Sequence, residues 1–321
     1  MNRYHLVHTT EFQYDGPVSE SYNEVRLRPI HDEKQTCVSF RLTTNPESRG
    51  TAYRDSFGNW VHQFNVLPEH RKLTVQAESV VLAHDVAQPP ISGVGLAELD
   101  AHLEESGEDF YDFLESSEYV PHLPHLDVLL DAAEQSSGAT DAGFALAASD
   151  LIHQRFRYVK GATHVHSSIA DALSMGAGVC QDFAHMLLGV VRKRGLPARY
   201  VSGYLVPGDT ANGSVEEVIG GQASHAWAEI YLHGAGWVGF DPTLGKPVGL
   251  RHVRIAFGRD YGDVAPVRGV YRGHAGQRLA VDVRVRPVVN DGGLEQLAEL
   301  DAGESKEQVE ERPQQPQQQQ Q

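Results

Sequence analysis

The 321-residue chain has two cysteines, Cys37 and Cys180. That is too few for a disulfide framework, so a reducing compartment, the cytoplasm, is expected. No run of about 18 apolar residues occurs, which predicts no membrane-spanning helix and no membrane partner. Met1-Asn2-Arg3-Tyr4-His5-Leu6 lacks the apolar centre of a secretory leader and reads as strand. No internal repeat is present. Lysine and arginine are missing from residues 73–154, which carry sixteen acidic side chains. Residues 1–72 balance nine acidic against nine basic, 155–290 carry ten against sixteen, and 291–321 carry eight against two, for a net charge of −16. An acidic middle segment repels phosphates, so nucleic acid is not an expected partner. Solvated helix faces explain it most simply, and a docking face for a basic partner is the alternative.

What is present divides along the chain. The length suggests two domains. Residues 1–90 alternate in short β-rich runs around Tyr4, Leu6, Phe12, Tyr14, Val25, Leu27, Val38, Phe40, Phe64, Val66, Leu73 and Val75. Turn residues at Asp15-Gly16-Pro17, Asn45-Pro46 and Phe57-Gly58-Asn59-Trp60 split the runs, so an antiparallel β-sandwich-like domain is expected. Cys37 falls inside a strand pattern and reads as structural. From Gln88-Pro89-Pro90 the period becomes helical, through Leu96, Leu99, Leu103, Phe110, Phe113, Leu126 and Leu129. Residues 91–140 therefore read as an acidic helical connector. Thr140-Asp141 caps the next helix, and a second, α+β domain is placed at 141–290. The Glu- and Gln-rich 291–321 tail cannot bury enough apolar surface to order and reads as disordered.

The chemistry concentrates around Cys180. Phe183, Leu187, Val190 and Val191 form one helical stripe, Arg192-Lys193-Arg194 fill its last turn, and Gly195 with Pro197 stops it. The glycines before Cys180 allow a sharp approach, so the cysteine falls at or within one residue of a helix N-terminus. There the unpaired N–H groups favour a thiolate, and the usual cysteine pKa of about 8.5 can fall by several units when a protonated histidine is also near. A small buried hydrophobe is the bland alternative.

Ser224 to Leu232 reads as a strand, and Trp237 to Asp241 as its return. A three-residue turn, 233–235, pairs Leu232 with Gly236 and sets Trp227 opposite Asp241. His225 and Asp241 then become diagonal neighbours on one face, within about 7–8 Å at the backbone. A two- or four-residue turn would put Asp241 on the other face. With that register Cys180, His225 and Asp241 make a nucleophile, a base and an orienting carboxylate. A satisfied core histidine and a turn-forming Asp-Pro are the structural alternatives. The Cys180 backbone N–H is one natural oxyanion donor; the sequence places no second.

Gly178-Val179-Cys180-Gln181-Asp182-Phe183-Ala184-His185, the following Gly195 to Tyr204, Ser224-His225-Ala226-Trp227-Ala228-Glu229, Gly236 to Thr243 and Phe257-Gly258-Arg259-Asp260-Tyr261 together resemble the bacterial transglutaminase-like proteins. The first ninety residues resemble the β-rich N-terminal region of that family. The resemblance implies a papain-like transglutaminase core, a helix bearing the cysteine packed on an antiparallel sheet. It implies Cys180, His225 and Asp241 as the triad, and thioester chemistry on an amide. Relatives include cysteine peptidases, an amidase, transglutaminases and inactive scaffolds. The filled triad argues against the last. The calcium dependence of animal transglutaminases does not carry over, because no Asp-rich loop has ligand spacing. Ser174 stands six residues before Cys180, where papain-type proteases place an oxyanion glutamine.

Thr163-His164-Val165-His166 with His185 has a ligand-like look, but seventeen histidines cluster by chance and no metal or other cofactor is expected. Residues 208–217 read equally as a gating loop or an inert one. The expected activity is cysteine peptidase or amidase action on a peptide or protein substrate. Transglutaminase cross-linking or deamidation is the enzymatic alternative, and a peptide-binding scaffold the non-enzymatic one. Relatives' neighbouring genes for ATP-grasp ligase-like proteins suggest ligase-made peptides as substrates.

Overall fold

The computed structural model describes residues 2–86, 110–137, 140–165, 167–207 and 224–288. Expectations for Leu96, Leu99, Leu103, His166, residues 208–217 and the 291–321 tail lie outside the described residues.

The alternating N-terminal runs form β1 (Asn2–Val25), β2 (Gln35–Asn45), β3 (Gly50–Arg54), β4 (Trp60–Val66) and β5 (His70–Ala83). They build one antiparallel sheet, ordered β2-β5-β1-β4-β3. Its halves enclose a core of Tyr14, Val18, Val25, Phe64, Val66, Leu73 and Val75. The sandwich-like expectation is thus met by one curled sheet. Asp15-Gly16-Pro17, read as a turn, lies within β1 instead. The pairing of β1 with β5 shifts register between Gln13 and Val18. Beyond it, β1 pairs with β4 from Ser21. Pro17 has no N–H to give a ladder, so it suits the point where the strand changes partners.

The chain then crosses a short helical stretch, 110–114, into α1 (Asp127–Ser136) and α2 (Asp141–Arg155). Thr140 caps α2 by accepting the Gly143 N–H, as its sequence position suggests. After β6 (Arg157–Tyr158) come α3 (Ile169–Met175), β7 (Ala177–Gly178) and α4 (Cys180–Lys193). The second sheet contains β8 (Ala198–Leu205), β9 (His225–Leu232), β10 (Gly236–Asp241), β11 (Lys246–Pro247) and β12 (His252–Gly258), in the order β11-β10-β9-β8-β12. One face packs on α1, α2 and α4 through Phe144, Ile152, Phe183, Leu187, Ala228 and Phe240. The other meets the N-terminal sheet through Tyr4, Leu6, Val81, Tyr204, Val253 and Ile255. Every residue of β8 is buried, as a strand covered on both faces must be.

After α5 (Tyr261–Val264) the chain returns to the first sheet. β13 (Val267–Arg272) pairs with the second half of β1, and β14 (Gln277–Pro287) with the first half. Sheet membership therefore puts 267–287 with the N-terminal unit, whereas the sequence reading kept them within 141–290. A strand's partner some 270 residues away leaves no local signal.

Polar side chains also join the two units, mostly along β12. Gln35 brackets Arg254, accepting its backbone N–H at 2.9 Å and donating to its carbonyl at 2.8 Å. Asn59 does the same at Phe257, at 2.9 and 2.8 Å. Asp32 pairs with the Arg254 guanidinium at 2.5 Å. Arg254 and Arg199 share the buried Glu229, Arg199 at 2.5 Å and Arg254 at 3.6 Å. Asn59→Ala leaves both Phe257 backbone groups without their side-chain partner. It is expected to cost about 1–3 kcal/mol, read from urea unfolding of the full chain.

Candidate active site

The helix bearing Cys180 starts abruptly for a steric reason. A Cβ on Gly178 would stand 2.7 Å from Asp182 Oδ2, and that oxygen accepts the Val179 N–H at 2.8 Å. The carboxylate thus folds back over the first turn, and residue 178 must be glycine to let it. Thr163 also donates to Asp182. Cys180 follows as the first residue of α4. The residue is partly exposed, and its sulfur acts on the phenols of Tyr158 and Tyr200. Burial pushes the Tyr158 phenol up to about 12, and burial and the nearby sulfur raise Tyr200 as well. Both phenols stay protonated.

The hairpin has the expected register. Gly236 pairs with Leu232, Trp237 with Tyr231 and Phe240 with Ala228, which continues to Asp241 opposite Trp227. His225 Nε2 lies 2.7 Å from Asp241 Oδ2, and neither side chain has any exposed surface. Asp241 also forms the turn that follows it. Its Oδ1 accepts the N–H groups of Thr243 at 2.9 Å and Leu244 at 3.2 Å. Asp241 therefore closes the turn with one oxygen and bonds His225 with the other.

His225 Nδ1 is buried with no nitrogen or oxygen partner, and the Cys180 sulfur is the remaining polar group acting on this ring. Burial works to lower this imidazole, but the Asp241 charge, the Asp241 hydrogen bond and the Cys180 sulfur together push it up to about 10. Burial would raise the Asp241 carboxyl, but His225 and His252 hold it well below the usual carboxylate range.

His252, at the start of β12, is the group the sequence reading missed. Its Nε2 lies 3.0 Å from the same Asp241 Oδ2. Burial lowers its pKa. No spacing rule points to it, because the contact depends on the segment 242–251, β11 included, leading the chain from β10 to β12 at the far edge of the sheet. Trp227, fully buried, connects the group. Its ring is 6.0 Å from that of His225 and 5.2 Å from that of His252, centroid to centroid. It lies across Gly203, where a Cβ would come within 2.5 Å of the indole.

The other candidates resolve differently. His185 accepts the Tyr261 N–H at 3.2 Å. Burial and Arg192 push its pKa down to about 3, so it is a neutral core histidine. His164 is exposed. Among the described residues, the grouping with metal-ligand proximity is His225, Asp241 and His252. Cys37 lies in β2, its thiol raised by burial and donating to the Ser39 carbonyl at 3.5 Å.

The chain is similar to known proteins along most of its length. Residues 4–82 match the family model of the bacterial transglutaminase-like N-terminal region, and 131–242 that of the transglutaminase-like superfamily. An uncharacterized protein of Mycobacterium leprae is 35% identical over 285 residues, covering 89% of this chain and 99% of its own. One from Mycobacterium tuberculosis is 32% identical, covering 90% and 94%. A protein-glutamine gamma-glutamyltransferase of Pseudomonas aeruginosa is 30% identical over 126 residues, 37% of this chain and 18% of that protein. A solved structure from Cytophaga hutchinsonii, proposed to be a cysteine protease, has the same fold. It has a TM-score of 0.65 and 24% identity, covering 91% of this chain and 92% of that one.

The buried pair predicts a pH signature. An imidazole raised to about 10 contributes stability that is complete below the free value near 6.5 and is lost as pH rises towards 10. The depressed Asp241 carboxyl contributes above the free value near 3.9 and loses its contribution as pH falls. Asp241→Asn should therefore destabilise most near pH 5, by about 3–5 kcal/mol. The deficit should shrink at pH 10, as checked by urea unfolding of both proteins at each pH.

Proposed function

From the premise that this chain belongs to the transglutaminase-like superfamily and carries the bacterial transglutaminase-like N-terminal region, we propose that it is a thiol-dependent acyl-transfer enzyme acting on peptide or isopeptide amides. The observation that carries the reading is the buried hydrogen bond of 2.7 Å between His225 Nε2 and Asp241 Oδ2. It occupies one ring nitrogen and leaves Nδ1 free for the thiol.

In this reading Cys180 Sγ attacks the amide carbonyl carbon and the carbonyl π-bond opens to an oxyanion. The Cys180 N–H, one of the first amides of α4 and so without a partner four residues back, donates to it. His225 Nδ1 holds the proton taken from the thiol and passes it to the departing amine nitrogen as the C–N bond breaks. A thioester remains on Cys180. Water then attacks it, His225 takes the water's proton, and the thiol leaves. Asp241 keeps Nε2–H fixed throughout and stabilises the imidazolium. Hydrolysis is favoured because water needs no second substrate site.

Amine transfer is the second reading. It is supported by the stretch of similarity to the Pseudomonas glutamyltransferase. The products separate the two: peptidase action yields new N-termini, whereas a glutaminyl donor yields ammonia and, with an amine, an isopeptide.

Cys180→Ala should reduce turnover of any peptide substrate to background while leaving the thermal unfolding transition within about 1 kcal/mol of wild type, the change being a small one at a partly exposed site. A mass-spectrometric screen of peptide mixtures checks the first, and calorimetry the second. Turnover that survives the change would sink the thioester mechanism. Absence of turnover in the wild type, with peptides still bound, would favour a binding scaffold.

A further inference from the structure

Asp241 Oδ2 has two histidines on it, and the triad uses only one. His252 approaches the carboxylate from β12, and both of its ring nitrogens are assigned by their partners. Nδ1 accepts the Gly249 backbone N–H at 3.2 Å, which leaves the ring proton on Nε2, and Nε2 is 3.0 Å from Asp241 Oδ2. The side chain is 6% exposed. Its ring stands edge-on to Trp227, 5.2 Å between centroids. This tautomer also argues against a metal among these three residues. A cation would need the Nε2 lone pair, and that nitrogen carries the proton.

We propose that His252 is a positioning residue of the Cys180–His225–Asp241 site, holding Asp241 Oδ2 towards His225 and taking up part of the carboxylate's charge so that His225 releases its proton to the leaving amine. The proposal rests on the triad reading above. A neutral donor on Oδ2 makes the carboxylate a weaker acceptor for His225. Without it, the imidazolium is held more tightly and becomes a poorer general acid. The arrangement also fits the rest of the Asp241 hydrogen bonding: two backbone N–H groups on Oδ1 and two imidazole N–H groups on Oδ2.

Asp241 and Cys180 are the titratable groups acting on the His225 ring, and Asp241 and His225 those acting on His252. The two imidazole centroids are 6.1 Å apart. Burial and the His225 charge both lower the His252 pKa, against the pull of Asp241, so at neutral pH His252 is a neutral donor beside a charged His225.

The test is the pH profile of Cys180 alkylation by iodoacetate, resolved from Cys37 by peptide mapping. The anionic reagent is drawn to the imidazolium, so the basic limb of the profile reports deprotonation of His225. His252→Phe keeps the ring volume beside Trp227 and removes the donor. It should move the basic limb up by about one pH unit, the effect of one hydrogen bond to a charged group. His252→Gln, whose amide N–H can reach Oδ2, should return the limb towards wild type. Gly249→Pro removes the N–H that fixes the tautomer and leaves His252 in place. It should shift the limb in the same direction by less, and it provides a readout if the phenylalanine variant does not fold. A limb that stays put or moves down in His252→Phe or Gly249→Pro, or a glutamine variant that behaves as phenylalanine does, overturns the role of His252. A wild-type profile with no basic limb would overturn the triad reading itself, a separate failure.

Discussion

A carboxylate with no exposed surface is tolerated in a protein interior only when its lone pairs are filled by donors, because the desolvation it suffers is otherwise unmatched. Asp241 meets that condition with four N–H groups, two from the turn that follows it and two from histidines. The turn bonds fix where the carboxylate stands at the end of β10. The histidine bonds fix which way its second oxygen faces. His225 is thereby locked through Nε2, and in the proposed mechanism its remaining nitrogen serves the thiol at the start of α4. The charge and direction of His225 both follow from this one buried anion.

The N-terminal sheet is tied to that anion through β12. His252 begins this strand, and Arg254 and Phe257 further along it are held by Asp32, Gln35 and Asn59 from the first unit. Gln35 and Asn59 each bond a backbone N–H and a carbonyl of one residue, as a neighbouring strand would. The edge of the second sheet is therefore completed by side chains of the first unit. The apolar contact of Leu6 and Val81 with Tyr204 and Val253 and the buried His8–Tyr204 hydrogen bond of 2.7 Å lie in the same interface. Burial pushes the His8 imidazole down to about 4, so that bond is made by a neutral ring over the neutral pH range.

Local rules made the central features legible. The helix at Cys180 announced itself through its apolar stripe, its basic last turn and Gly195, whose φ of 86° is the left-handed conformation glycine supplies. The relation of His225 to Asp241 followed from period two and a three-residue turn, since either neighbouring turn length would have reversed the face. Non-local contacts were not legible. His252 reaches Asp241 only because the chain passes from β10 to β12 at the far edge of the sheet. β13 and β14 find β1 from the far end of the described chain. Asp15-Gly16-Pro17 had the composition of a turn, yet both flanking segments stay in strand because each finds a different pair of partners. Glu229 shares a strand face with His225 but belongs to the arginine pairs at the interface, a distinction that period two cannot draw.

Nitrogen NMR of the histidine side chains, with His225 assigned by its loss in His225→Ala, tests the buried pair most directly. The expected spectrum at pH 8 shows both His225 nitrogens protonated, deprotonation near 10, and His252 as the neutral Nε2–H tautomer. A neutral His225 at pH 8 that titrates near the free value of about 6.5 would contradict an imidazolium held by Asp241, and with it the chemistry assigned to Cys180.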